Sequence, residues 1–330
     1  MSDNLKEKNI VLVGVGAISH DYIKILNDLG CKYVVVGRSQ ENVQKFTEAT
    51  GIAAVAGGIE LFLSDNKIKI DAAIVAVGVE ALAGATKSLL QHGIKNILVE
   101  KPGGSGMEEI VQLSELAKQK NANVFLAYNR RFYASVIHAK NKITEDGGVS
   151  SFNFEFTEWS HIIEKLEKPS VVLQNWVLSN SSHVIDTAFY LGGKPKELSV
   201  YTQKGNLTWH PNSSVFSGAG ISEKGALFSY QANWQAPGRW SVEMLTKNHR
   251  FILRPMEKLQ IQKTGSVAIE MVEGIDYLLD EKYKPGLFLQ VKSFLTGEHS
   301  NFCTIHQQKE AVLNYYMKIA GYKEVFENNI

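Results

Sequence analysis

Apolar residues follow two different rhythms along the 330-residue chain. In the first 130 residues the short unbroken runs "NIVLVG", "KYVVVG", "DAAIVAV", "NILVE" and "NVFLAY" are closed by turn residues, the mark of strands buried on both faces. Between them, "HDYIKILNDLG", "SQENVQKFTEATG", "VEALAGATKSLLQHG" and "MEEIVQLSELAKQK" place apolar residues at helical spacing and often stop at Gly. Strand and helix in alternation predict a parallel, doubly wound sheet. From about Val149 the runs "SSFNFEFTEW", "ELSVYTQ", "ALFSYQANW", "WSVEML", "RFILRP" and "EKLQIQKTG" alternate apolar with polar residues. Period two predicts mainly antiparallel strands with one buried and one available face. Helical patterns lie at "SHVIDTAFYLGG", before most of these strands, and at "QKEAVLNYYMKIAGY" near the end. The expected architecture is α/β. The doubly wound parallel sheet is expected in residues 1–130 and the mainly antiparallel sheet in residues 131–330, with the terminal helix free to pack back on the first.

Composition narrows the class of protein. Apolar residues are 44% and charged residues 21%, and no run approaches the 18 uninterrupted apolar residues of a membrane span. Lys plus Arg number 35 and Asp plus Glu 34, so no overall field collects nucleic acid. The start, "MSDNLKEKNIVLVGVG", lacks a secretory pattern, and a cytoplasmic location is expected. Cys31 and Cys303 fit neither a disulfide framework nor a zinc pattern, and the nine histidines include no H-x-H or H-E-x-x-H spacing. No metal is expected.

In "NIVLVGVGAISHDYI", Gly14 and Gly16 end a strand and open a helix. Gly14 permits the tight turn, and Gly16 lets the backbone approach a pyrophosphate at the positive end of the helix dipole. Ser19 stands in for the third glycine and is still small enough for close packing. After the second strand, where an acidic residue would bind the ribose of NAD, the chain has Gly37, Arg38 and Ser39. Arg38 suits a 2′-phosphate and Ser39 can donate a hydrogen bond, so NADP(H) is expected over NAD(H). The competing possibility is a surface Arg38 with Glu41 on the ribose.

"NILVEKPGG" delivers Glu100 and Lys101 to the carboxyl edge of the sheet, where ligands of open α/β folds bind. Pro102 restricts the backbone and admits a cis bond that aims the preceding side chain. An ammonium there stabilises the oxygen of a carbonyl undergoing hydride reduction and supplies its proton, and partial burial would bring its pKa toward working pH. His183 falls in the first turn of a helix capped by Ser179 or Asn180, where the positive helix end favours neutral imidazole. Trp176, close to His183, and Trp234, Arg239 and Trp240 in "YQANWQAPGRW" offer flat faces for a sugar ring, and arginine suits a carboxylate or phosphate. Sheet packing is the competing role for Trp234 and Trp240.

The glycine loop, "EKP", "AYNRRF" and "SHVIDTAFYLGGKP" together resemble the Gfo/Idh/MocA oxidoreductases over nearly the whole chain. The resemblance implies an NADP-binding Rossmann domain in residues 1–130, a substrate-binding and oligomerisation α/β domain with a large open, mainly antiparallel sheet in residues 131–330, and hydride transfer between nicotinamide and a sugar or cyclitol hydroxyl or carbonyl, with Lys101 at the reacting oxygen and Asn129 and Arg130 near the nicotinamide. The expected cofactor set is therefore Gly14, Gly16, Ala17, Ile18, Arg38, Ser39, Val77, Glu100, Lys101, Asn129 and Arg130. Lys101 and His183 are the expected catalytic pair, and Trp176, Ser179, Asn180, His183 and Arg239 the expected substrate contacts. The family commonly has Asp four residues before the histidine, where this chain has Ser179, which puts the usual proton relay in doubt; Asn180 and Asp186 are the residues nearest to hand to compensate. The expected activity is an NADP(H)-dependent oxidoreductase of a sugar, sugar derivative or nucleotide sugar, acting as a homodimer or homotetramer through the open sheet face. The alternatives are a reductase of a non-sugar carbonyl and a non-catalytic NADP-sensing regulator on the same fold.

Overall fold

The computed structural model describes residues 5–65, 68–210 and 212–322. Contacts divide the chain into two compact units, one of residues 1–128 with 281–310 and one of residues 129–280 with 311–330.

In the first unit the unbroken apolar runs become β1 (Asn9–Val13), β2 (Lys32–Val36), β3 (Ala54–Val55), β4 (Ala72–Val75), β5 (Asn96–Val99) and β6 (Asn123–Leu126). The intervening helices are α1 (Ala17–Asp28), α2 (Gln40–Thr50), α3 (Gly58–Asp65), α4 (Val79–Gln91) and α5 (Met107–Gln119). The sheet order β6-β5-β4-β1-β2-β3 is parallel throughout, and the chain reverses its direction of travel across the sheet between β1 and β4. Side chains on both faces are sealed, Val11, Leu12, Ile74 and Leu98 among them, each worth about 1.5–3 kcal/mol of burial. Crevices at such a reversal are where this architecture receives ligands.

The second unit opens with a 3₁₀ turn, Asn129–Phe132, and α6 (Ala134–Glu145). Then follow β7 (Ser151–Glu155), the short helices α7 (Ser160–Ile163) and α8 (Ser170–Gln174), a π-helical turn at Val177–Ser181, and α9 (Ser182–Gly192). The strands β8 (Pro195–Gln203), β9 (Val215–Ser222), β10 (Leu227–Asn233), β11 (Ser241–Leu245), β12 (His249–Leu253), β13 (Gln260–Lys263) and β14 (Glu270–Met271) complete an eight-stranded sheet, ordered β14-β13-β12-β11-β7-β10-β9-β8. Alternation does its expected work: Phe152, Phe154, Phe228 and Tyr230 point inward, and Phe189 of α9 meets Phe154 at 5.4 Å and Phe228 at 5.3 Å. All described pairs in this sheet are antiparallel except β7 with β10. These two are parallel because α9 and the β8–β9 hairpin intervene, so the chain re-enters in the direction of β7.

Residues 281–310 return to the first unit. There α10 (Leu287–Thr296) packs on α1, and β15 (Cys303–Thr304) pairs antiparallel with β6 as the seventh strand. Phe125 of β6 is covered by Phe294, His299 and Phe302, with ring centroids 6.2, 4.3 and 5.2 Å away.

Candidate functional site

The first unit holds a cavity of about 580 Å³ at the carboxyl edge of β1, β2 and β4, lined in part by Gly14, Gly16, Ala17, Ile18, Arg38, Ser39 and Val77. Gly14 has φ +125°, and a Cβ there would lie 2.3 Å from the carbonyl oxygen of Ala76, so only glycine fits the crossing of β1 and β4. A Cβ built on Gly16 meets nothing within 4 Å, which leaves the cavity side of the turn open. The N-terminus of α1 has no side-chain cap and no acidic residue in its first turn. Its first N–H groups and the positive end of its dipole are thus unopposed by a local anion, the condition for receiving a phosphate. Ser19 in the third-glycine position is fully buried.

Arg38 and Ser39 line the same cavity at the end of β2, together with Asn42. Ser39 caps α2, its Oγ accepting from the Asn42 N–H at 3.3 Å, which leaves its hydroxyl hydrogen to donate. Glu41, the competing ribose ligand, instead pairs with Lys45 at 2.6 Å on the exposed face of α2. Two carboxylates share the cavity wall: Glu60, which accepts from Ser88 at 2.7 Å, and Glu80.

Glu100 and Lys101 follow β5 and are not part of that cavity lining. The Lys101–Pro102 peptide is cis. The turn closes by Gly103 N–H donating to the Glu100 carbonyl at 3.1 Å, while the Pro102 carbonyl accepts from Gln308 Nε2 at 3.2 Å. Gln308 is fully buried and its Oε1 in turn accepts from the Tyr128 hydroxyl at 3.2 Å. Glu100 accepts from the Tyr22 hydroxyl at 2.7 Å; burial pushes its carboxyl above the usual range, against the opposing pull of Tyr22 and Lys101. Lys101 itself is half-buried. The residues on either side of it are thus held by two residues that pattern reading missed, Tyr22 at the Glu100 carboxylate and Gln308 at the Pro102 carbonyl. Neither carries a local signal, because each acts across a long sequence separation.

The second unit gathers a polar cluster around Trp240. The Arg130 guanidinium lies 4.6 Å and that of Arg239 4.7 Å from the Trp240 ring centroid, and the His183 ring lies 6.2 Å from it. Burial pushes the Arg130 pKa down. Glu158, 2% exposed, accepts from Asn180 Nδ2 at 3.0 Å and Ser181 Oγ at 2.7 Å, and reaches Arg239 at 3.6 Å. Sequence reading missed Glu158, although a signal existed: in "FNFEFTE" the inward parity of Phe152, Phe154 and Phe156 continues to Glu158, so a carboxylate falls on the buried phase.

Two local expectations need correction here. Ser179 and Asn180 do not cap the helix of His183. The π-helical turn Val177–Ser181 runs straight into α9, and Ser182 N–H already donates to the Val177 carbonyl. His183 therefore sits inside continuous helix, and the argument from an open positive terminus does not apply to it. Asp186 does not compensate for the missing Asp, because Arg131 grips both its carboxylate oxygens at 2.6 and 2.8 Å. Trp176 is buried with its ring against Trp209 at 5.8 Å, in an aromatic core where Trp209 stacks on Trp234 at 5.3 Å. Asn129 is buried in the 3₁₀ turn, beside the Tyr133 hydroxyl to which it is hydrogen-bonded. Ser179 is buried in the π-helical turn, its N–H donating to Asn175.

Residues 8–128 match the profile of a family described as "Oxidoreductase family, NAD-binding Rossmann fold". No curated protein sequence matches the chain. Among solved structures, an oxidoreductase from Vibrio cholerae superposes with a TM-score of 0.72 at 14% identity, over 95% of this chain and 96% of that one. UDP-N-acetylglucosamine 3-dehydrogenase from Acidithiobacillus ferrooxidans gives 0.72 at 14% identity, over 94% and 96%. Levoglucosan dehydrogenase in complex with NADH and levoglucosan gives 0.73 at 18% identity, over 95% and 96%. At these identities the likeness is one of fold.

Proposed function

We propose that this chain, whose residues 8–128 match the profile of an oxidoreductase family with an NAD-binding Rossmann fold, is a Gfo/Idh/MocA-type NADP(H)-dependent oxidoreductase of a sugar, sugar derivative or nucleotide sugar. The observation that carries the reading is a single cavity joining the Gly14 cradle, the uncapped start of α1 and Arg38. The cradle fits a pyrophosphate by shape and by dipole, and Arg38 with Ser39 fits a 2′-phosphate by charge and donor geometry. Solved structures of the same fold include a levoglucosan dehydrogenase with NADH and a UDP-N-acetylglucosamine 3-dehydrogenase, which favours a carbohydrate substrate. NADP(H) held by the Gly14 turn, the start of α1 and Arg38 would supply the hydride chemistry at the substrate carbon. Lys101 holds the proton of the reacting oxygen, donating it as a carbonyl is reduced and accepting it as a hydroxyl is oxidised. His183 assists by binding the substrate and exchanging that proton with its imidazole. The outer face of the eight-stranded sheet, where Tyr201 is 72% and Leu227 59% exposed, is the surface assigned to self-association as a dimer or tetramer.

A second reading, an NADP-binding regulator without turnover, is favoured by Ser179 in place of the usual Asp and by the engagement of Asp186 with Arg131. Paired fluorescence titrations with NADPH and NADH on wild type and Lys101→Ala, followed by a screen of keto-sugars and sugar alcohols, separate the two. The enzyme reading expects both proteins to bind NADPH with similar affinity and only wild type to turn over a sugar. NADPH binding without turnover of any compound by wild type moves the conclusion to the regulator.

A further inference from the structure

Arg130 and Arg131 are adjacent in sequence but are treated very differently by their surroundings. Arg131 is paired with a carboxylate through two hydrogen bonds, as buried guanidinium groups ordinarily are. Arg130 is largely enclosed, its Nε is buried without a hydrogen-bond partner, and its ring contacts are the faces of Trp240 and Tyr133. Stacking on an aromatic ring returns less than removing a cation from water costs. A second cation, Arg239, approaches the same ring, so the two guanidinium groups are no farther apart than their two ring distances combined. Their mutual repulsion adds to the cost. Glu257 and Glu158, the carboxylates that act on Arg130, offset part of it, but the contact of Glu158 with Arg239 at 3.6 Å is longer than a direct hydrogen bond, and its Oε1 is taken by Asn180 and Ser181. Trp240 adds one more donor, an indole Nε1 that is buried without a partner. Each guanidinium carries five N–H groups and no acceptor, so the cluster as built is rich in donors and short of acceptors.

We infer that Arg130 and Arg239, arranged around Trp240, form the receptor for an anionic group on the substrate, a carboxylate or a phosphate carried by a carbohydrate. The inference rests on the second unit being the one that receives the carbohydrate, and it narrows that carbohydrate to an acid. An anion supplies the acceptors the cluster lacks, while the His183 imidazole, 6.2 Å from the Trp240 ring, offers a polar group to the rest of the sugar.

The test is calorimetric titration of the full chain, with and without NADPH, using D-glucuronate, glucose 6-phosphate and neutral D-glucose as probes. Acetate and inorganic phosphate report on bare anion attraction. At least one sugar acid is expected to bind tenfold or more tighter than glucose and than the simple anions, and Arg239→Gln is expected to abolish that preference. Preference for glucuronate assigns a carboxylate, and preference for glucose 6-phosphate assigns a phosphate. The inference is overturned if both sugar acids bind no tighter than glucose, if acetate or phosphate binds as well as they do, or if Arg239→Gln and Arg130→Gln both bind like wild type. Circular dichroism melting of the variants establishes that they are folded. Acid binding without NADPH binding sinks the oxidoreductase reading and leaves this inference standing; NADPH-linked turnover of neutral sugars with no preference for acids does the reverse.

Discussion

Arg38, Arg130 and Arg131 carry one charge each, and their surroundings decide what that charge does. Arg131 is saturated by Asp186, Arg130 stacks on Trp240, and Arg38 borders a cavity that also presents the open start of α1. A charged hydrogen bond to a 2′-phosphate is worth about 1.5–3 kcal/mol, so Arg38→Ala is expected to weaken NADPH about 10- to 100-fold and NADH less than twofold, read by fluorescence titration. Equal loss for both cofactors would show that Arg38 supports the fold of the pocket instead of reading the phosphate. The glycines and Arg38 were legible because their meaning lies in local spacing, a strand end followed by a helix start. Glu158 and Gln308 were not, because a carboxylate or amide acquires its partner only when distant segments meet.

Among the elements, α6 and the β11–β12 hairpin are tied together by one carboxylate. Asp146 closes α6 and accepts from Thr246 Oγ1 at 2.6 Å and Asn248 Nδ2 at 2.9 Å, with His249 Nδ1 at 2.8 Å. Burial raises its pKa, but these three partners outweigh it and bring the value down to about 2 from the ordinary 3.8. A folded pKa below the unfolded one means stabilisation that is present in full above the ordinary value and is lost as pH falls through about 2. Asp146→Asn is therefore expected to cost about 2 kcal/mol near neutral pH, with the gap to wild type closing between about pH 4 and pH 2 in urea titrations. A gap independent of pH would assign the loss to packing. The strands of this unit were readable from period two, since parity alone aims Phe152 and Phe154 inward. The helix around His183 was misjudged at its start because Ser and Asn are good caps in isolation, and only the continuing helical backbone of 170–181 removes the need for one.

At the scale of the molecule, the change of rhythm from about Val149 was visible in the sequence, but the return of 281–310 to the first unit was not. A two-residue strand such as β15 has no period of its own, and nothing local says which sheet it joins. That segment covers Phe125 and supplies Gln308 to the turn after Lys101. A chain ended at residue 130 is expected to bind the dye ANS strongly and to lose NADPH affinity at least tenfold, whereas adding residues 281–310 through a flexible linker should restore both toward wild type. Full NADPH affinity in the short chain would show that the return is ornamental to the pocket. The discontinuity also has a bearing on synthesis. On the ribosome β6 emerges long before β15, and at about 5–20 residues per second the wait is on the order of ten seconds or more. Through that interval the nascent first unit presents an unpaired strand edge and an uncovered Phe125, so a trigger-type holdase has its natural client window there, and codons that slow elongation between the two segments would lengthen the exposure rather than help the domain finish.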